Sequence, residues 1–229
     1  MFKTCKIIIL LIFVSFPLSV NAHVQHYEDL NRIEFDINRN NKLIGTHIFS
    51  FKKSEGQLAV ESEINFEIKK LGIVFYSYHV KGTEIYKVGR LIKFNSKTKQ
   101  NGKHKYANLK LEDGKYTIDG SSYKGKVPED YLLGTWWNHG IVKAKAQISA
   151  VSGRIIKQKV TFLGKETIKF AEKEYNTLHF NFSSTDKKLV KNKKLDTDVW
   201  YDEKTLNWVK VSFDKKGKWE YRLVSVRNF

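Results

Sequence analysis

Residues 132–142 read LLGTWWNHGIV, two adjacent tryptophans followed by an asparagine and a histidine. A histidine beside aromatic walls could move protons in an active site. That chemistry needs partners at defined spacing. The chain has seven histidines, yet no HExxH motif, no histidine pair at i,i+2 with a downstream carboxylate, no GxSxG elbow and no phosphate-binding glycine loop. His47, His79, His104 and His179 fall singly on expected strands or their ends and read as structural or solvent-facing. His139 reads as a bystander, because neighbouring segments supply no partner for it. No cofactor is implied and no catalytic residue is assigned. One metal reading has a physical rationale. Cleavage after Ala22 would make His23 the amino terminus, and its amine and imidazole, with His26 close by, suit copper(II).

The address is clearer than the chemistry. Residues 1–22, MFKTCKIIILLIFVSFPLSVNA, carry Lys3 and Lys6 ahead of an apolar run over 7–16 and end with small Val20 and Ala22 at a cleavage position. This pattern predicts a signal peptide and export, with a periplasmic location as the simplest outcome; the run is too short to span a bilayer. The only cysteine, Cys5, lies in that segment, so the mature chain must hold together without disulfides. Without Lys3 and Lys6 the mature chain keeps 39 basic residues against 24 acidic, +15. Export argues against nucleic acid. The lysines in NSKTKQNGKHK (95–105) and DKKLVKNKK (186–194) read as scattered over solvated loops. An anionic envelope surface, acidic lipid or polysaccharide, is the alternative partner.

The elements that must position any site are strands. In LAVESEINFEI, Leu58, Val60, Ile64, Phe66 and Ile68 share one face with Ser62, while charged residues take the other. RIEFDIN and TLHFNF alternate in the same way. IVFYSYHV (73–80) is apolar or aromatic on both faces and reads as a more central strand. Turn signals recur near 40, 55, 101, 114 and 216, as expected for antiparallel hairpins. DVWYDEKTLNWVKVSFDKKGKWEYRLVSV reads as three strands. Helical spacing is weak except around Glu129–Leu133. The expectation is an all-β chain: one large curved antiparallel sheet of about ten or more strands, an open barrel or clam, spanning 32–229 after a flexible mature start at 23–31.

Several motifs then carry a resemblance. IGTHIFSF (44–51), YSYHVKGTEIYKVGRLIKFNSKTKQNGK (76–103), GTWWN (134–138) and DVWYDEKTLNWVKVSF (198–213) resemble an uncharacterised family of exported bacterial β-sheet proteins, a domain of unknown function. That family is distantly similar to periplasmic open-sheet proteins such as the lipoprotein carriers of the Lol system. The resemblance runs from about Ile33 to the C-terminus and departs from the family pattern at Tyr86, where many members have tryptophan. It implies fold and address and transfers no catalytic residue. Its most specific points are Gly89, Trp137, Asn138, Trp200, Tyr201 and Asp202, expected to define the fold.

A curved sheet needs a cover for its inner face. The segment 120–145, with its glycines, Pro128 and YLLGTWW, is the least strand-like and is expected to fold across an open end as a lid or plug. Such an architecture suits an apolar or amphiphilic ligand between sheet and lid. Trp136, Tyr131, Leu133, Tyr76 and Tyr78 are the expected ligand-binding residues. The leading expectation is a non-enzymatic envelope protein that binds a lipid-like ligand or an envelope partner. Two alternatives stand beside it: an enzyme or copper protein, and an outer-membrane barrel. The barrel is suggested by the terminal Phe229 with Leu223, Tyr221 and Trp219 alternating behind it, and is opposed by Arg227 and Ser225 on the lipid-facing set.

Overall fold

A computed structural model describes Val24 and residues 26–170, 172–190 and 193–229. The expected signal segment and His23 lie outside the described residues. Alternating apolar residues build fifteen strands. The first eight are β1 (Leu30–Arg39), β2 (Lys42–Ser54), β3 (Gln57–Lys70), β4 (Ile73–Lys87), β5 (Arg90–Gln100), β6 (Lys103–Glu112), β7 (Lys115–Gly120) and β8 (Lys124–Pro128). A crossing segment follows, with the two-residue β9 (Leu132–Leu133) and a 3-10 helix, His139–Lys143. The chain then returns through β10 (Ala146–Ile148), β11 (Ile155–Phe170), β12 (Lys173–Ser184), β13 (Asp196–Asp202), β14 (Trp208–Asp214) and β15 (Lys218–Asn228).

These strands form one sheet in the order β8-β7-β6-β5-β4-β3-β2-β1-β15-β14-β13-β12-β11-β10-β9. Every pairing is antiparallel except β9 with β10. The last strand pairs with the first through Phe35↔Leu223 and Ile37↔Tyr221, so the meander splits at its middle and leaves β8 and β9 as edges. The edges do not pair, and the sheet is not closed. The 149–154 turn bridges the gap instead. Ser122 N donates to Ser152 O at 2.9 Å, and Ser96 Oγ donates to Ala150 O at 2.5 Å. Gly120 permits this approach, since a Cβ there would lie 2.6 Å from Ser152 O.

Inward positions follow the period-2 pattern. Ile33, Phe35 and Ile37 of β1 and Phe49 and Phe51 of β2 are fully buried, as are Val60 of β3 and Phe94 of β5. The interior is therefore largely a packed core of aromatic side chains. Phe35, Phe49 and Trp208 surround His47 at mid-height, and Phe66 stacks with Tyr78 at 4.9 Å toward one mouth.

The fifteen strands agree with the expected ten or more, and short pieces such as β7–β10 account for the excess over ten. Three other expectations change. Residues 120–128 belong to β7, β8 and their turn, so the lid begins only at Glu129. The helical turn falls at 139–143, where Asn138 caps it by accepting from Gly140 N at 2.9 Å, and not at 129–133. Packed structure also begins earlier than residue 32. Tyr27 is 1% exposed, and its hydroxyl donates to Leu206 O at 2.9 Å, unlike the flexible start expected over 23–31.

In a meander, alternate turns share an end. The turns at 39–42, 69–73, 100–105, 120–124, 149–154 and 214–218, with 185–190 and 193–195, lie at one end of the sheet, here the basic end. The turns at 52–57, 87–90, 112–115, 128–131 and 202–207, with 169–170 and 172–174, lie at the other, which the lid covers.

Candidate functional site

The lid is fixed by a backbone reversal between its two tryptophans. Trp136 has φ 61, a left-handed value that costs a bulky residue roughly 1–2 kcal/mol. The reversal sends neighbouring rings to opposite walls. Trp137, fully buried, meets Tyr27, Phe51 and Tyr86 edge-on at 5.4, 5.4 and 5.6 Å. Trp136 faces Trp208, 6.1 Å away, and its carbonyl accepts from Tyr201 Oη at 3.0 Å. On the far side, Gln158 Nε2 donates to the carbonyls of Ile141 and Ala144 and closes the end of the helical turn.

Beneath the lid lies Glu84, 1% exposed. Tyr86 Oη donates to its Oε2 at 2.5 Å, and Trp137 Nε1 donates to its Oε1 at 3.0 Å. Burial pushes the carboxyl up from the usual range, while the donors Tyr86, Trp137 and Thr135 pull it back down. Together these groups lock lid to sheet, because each would be an unsatisfied buried polar group without the others.

Beside this lock is a cavity of about 380 Å³. Tyr86, Leu91 and Tyr116 wall it from the sheet, and Leu133, Ile141 and Ala144 wall it from the lid. Arg90, Glu129, Asp130 and Lys143 form a charged rim. Arg90 clamps Glu129 through two bonds of 2.8 and 2.7 Å, which ties β5 to the start of the lid.

Of the five expected ligand-binding residues, only Leu133 lines this cavity. Trp136 is turned away from it by its own backbone. Tyr131 packs on the core from the lid. Tyr76 and Tyr78 sit toward the basic end, stacked on Phe66. Tyr76 Oη accepts from Gln100 Nε2 there. The strands hold Tyr76 and Tyr78 at the end of the sheet opposite the lid, so the five do not form one site. Asn138 and Gly89, expected only as fold markers, line the cavity instead, as does Tyr86, the position that departs from the family pattern.

The remaining markers hold turns and faces. Asp202 Oδ1 accepts from Thr205 N at 2.7 Å and Lys204 N at 3.1 Å, which closes the β13–β14 turn. Trp200 faces outward under Lys210, 4.5 Å from the ring centroid, and stacks on His179 at 4.1 Å. His179 Nδ1 lies 3.0 Å from Glu166 Oε1, and its Nε2 lies 3.4 Å from Asp198 Oδ1. A histidine between carboxylates resembles catalytic geometry, yet this one stands on the outer sheet face as a cross-strand ladder, away from the cavity. His139 is buried in the lid, its ring edge-on to Tyr201 at 4.7 Å. His26 binds Thr205 O through Nε2 at 2.7 Å. Among the described residues, no group of three or more His, Cys, Asp or Glu side chains could hold a metal.

These features define an open, lid-covered, β-barrel-like protein. The crystal structure of a β-barrel-like protein of domain of unknown function DUF1849 from Brucella abortus is similar, with a TM-score of 0.60 over 87% of this chain and 99% of that one. Identity is 10%, so the likeness is one of fold. No curated protein matches the chain. Residues 35–224 match the model of domain of unknown function DUF6134, and the chain belongs to that family.

Proposed function

We propose that this is an exported, non-catalytic cell-envelope protein that holds a small apolar or amphiphilic molecule between sheet and lid. The cavity carries this reading. Its volume of about 380 Å³ falls toward the small end of the roughly 300–1,000 Å³ typical of ligand sites. Its walls are apolar, while its charged groups stand at the rim, so an acyl-like body would enter and a polar head would stay near Arg90 and Lys143. The lining residues include no histidine, and Glu129 is already held by Arg90. Export rests on the N-terminal sequence pattern. A membrane-spanning barrel is disfavoured because the unpaired edges β8 and β9 would expose backbone polar groups to lipid.

A fluorescent medium-chain amphiphile titrated into the protein tests the site. Leu133→Trp fills the cavity from the lid and should weaken binding at least tenfold while leaving the melting temperature within a few degrees. Unchanged affinity in that variant would move the site elsewhere.

A further inference from the structure

The lysines that look scattered in sequence are gathered by the fold. The basic-end spans 39–42, 69–73, 100–105, 120–124, 149–154, 185–190, 193–195 and 214–218 hold fifteen lysines and arginines against two acidic residues. The lid-end spans 26–29, 52–57, 87–90, 112–115, 128–131, 169–174 and 202–205 hold eight against eleven. The molecule is thus polarised along its strands. At the basic mouth, Lys105 and Arg154 both lie close enough to Lys215 to act on its charge, and among the described residues none of the three forms an ion pair with a carboxylate. Burial, then Arg154 and Lys105, hold the Lys215 ammonium below its usual range.

A second observation at the same end is apolar. The ladder of β3 with β2 ends at Gly45↔Phe66, and that of β4 with β5 ends at Tyr78↔Gln100. Beyond these pairs β3 and β4 continue as a two-stranded ribbon through Glu67↔Ser77 to Lys70↔Ile73. The ribbon runs roughly 13 Å past its last ladder pair with β2, at about 3.4 Å per residue. Its tip is Leu71, 93% exposed, followed by exposed Ile73, Val74 and Phe75. Residues 73–75 are apolar on both faces because both faces are free, which corrects the reading of a central strand. Leu71 also takes φ 50 in its turn, a conformation that suits Asn or Gly, as at Asn101–Gly102. An exposed leucine gains no packing in return for that strain. Lys70 and Lys69, the latter paired with Glu67 at 2.9 Å, flank the tip, and an open groove of about 640 Å³ at its base is lined by Leu43, Ile44 and Phe66 with Lys42, Glu67 and Lys69.

We infer that the basic end docks on an anionic lipid bilayer, with the Leu71–Phe75 tip inserted among acyl chains and the lysine-rich turns against the headgroups. An apolar tip at the end of the sheet that carries the lysine-rich turns matches the two layers of such a surface in character and in sign. The inference is independent of the lid cavity, which opens at the other end.

Co-sedimentation of the mature protein with vesicles tests it, using pure phosphatidylcholine and a phosphatidylcholine–phosphatidylglycerol mixture. The protein should pellet with the anionic vesicles at least tenfold more strongly than with neutral ones. A fraction should resist 0.5 M salt, since insertion is not screened. Leu71→Asn combined with Phe75→Ser should remove that salt-resistant fraction and weaken binding at least tenfold. Leu71→Asn alone should melt no lower than the parent, because asparagine suits the turn. Absence of binding to anionic vesicles overturns the inference. So does equal binding by the tip variant, or full release of both proteins by dextran sulfate, which would indicate adsorption to any polyanion.

Discussion

Trp137→Ala should lower the unfolding free energy by about 4–8 kcal/mol, read as a fall in the urea midpoint at unchanged slope. Two losses add. Deleting a fully buried indole costs roughly 3–5 kcal/mol in transfer and cavity terms; Trp137 is 0% exposed and touches Tyr27, Phe51 and Tyr86. Removing its N–H also leaves Glu84 Oε1 without that donor inside the core, worth roughly 1–3 kcal/mol. Trp137→Phe separates the two, since it keeps most of the area and loses the donor. It should cost about 1–3 kcal/mol, and most of that penalty should vanish in a Glu84→Leu background. A Trp137→Ala protein as stable as the parent would show that the lid is not the keystone of the core.

Acid should unfold the protein through His47, and His47→Leu should blunt that sensitivity. His47 is buried among Phe35, Phe49, Trp208 and Tyr221, with no hydrogen-bond partner for Nδ1. Burial lowers its pKa from 6.5 to about 3. The unfolded chain therefore binds a proton between pH 6.5 and about 3 that the folded chain refuses, so stability falls as pH falls through that window. The full effect approaches about 4–5 kcal/mol, at 1.36 kcal/mol per pH unit. Glu84 acts in the opposite sense. Its raised pKa favours the folded state below the ordinary carboxylate range, and that contribution is lost as pH rises through its folded pKa. Equilibrium unfolding at pH 7, 5 and 4 should show a steep loss in the parent and a much shallower one in His47→Leu. Parallel pH profiles would place the acid sensitivity elsewhere.

Alternation made the sheet legible from sequence where strands are long and one-sided. Leu58, Val60 and Phe66 of β3 are buried as their period requires. The three C-terminal strands pair as their turns suggest. The lid was legible as a departure from alternation, but its start was not, because β8 is short and glycine-containing. Which tryptophan faced which wall depended on one positive φ at Trp136, a backbone detail with no sequence signal. The charge polarity was hidden for another reason. Sorting turns by end needs every strand placed, and β7–β10 are too short to place from alternation alone. Pairing of Arg90 with Glu129 spans 39 residues and leaves no local trace. The cavity between them was therefore inferable as an architecture but not as a residue set.

The central claim is that sheet and lid enclose a ligand. Native mass spectrometry of the protein purified from its native host without added detergent tests it most directly, with Leu133→Trp measured in parallel. The parent should carry a bound apolar species that organic extraction releases, and Leu133→Trp should be recovered without it. The bare polypeptide mass in both, from protein never exposed to extraction, would contradict the claim.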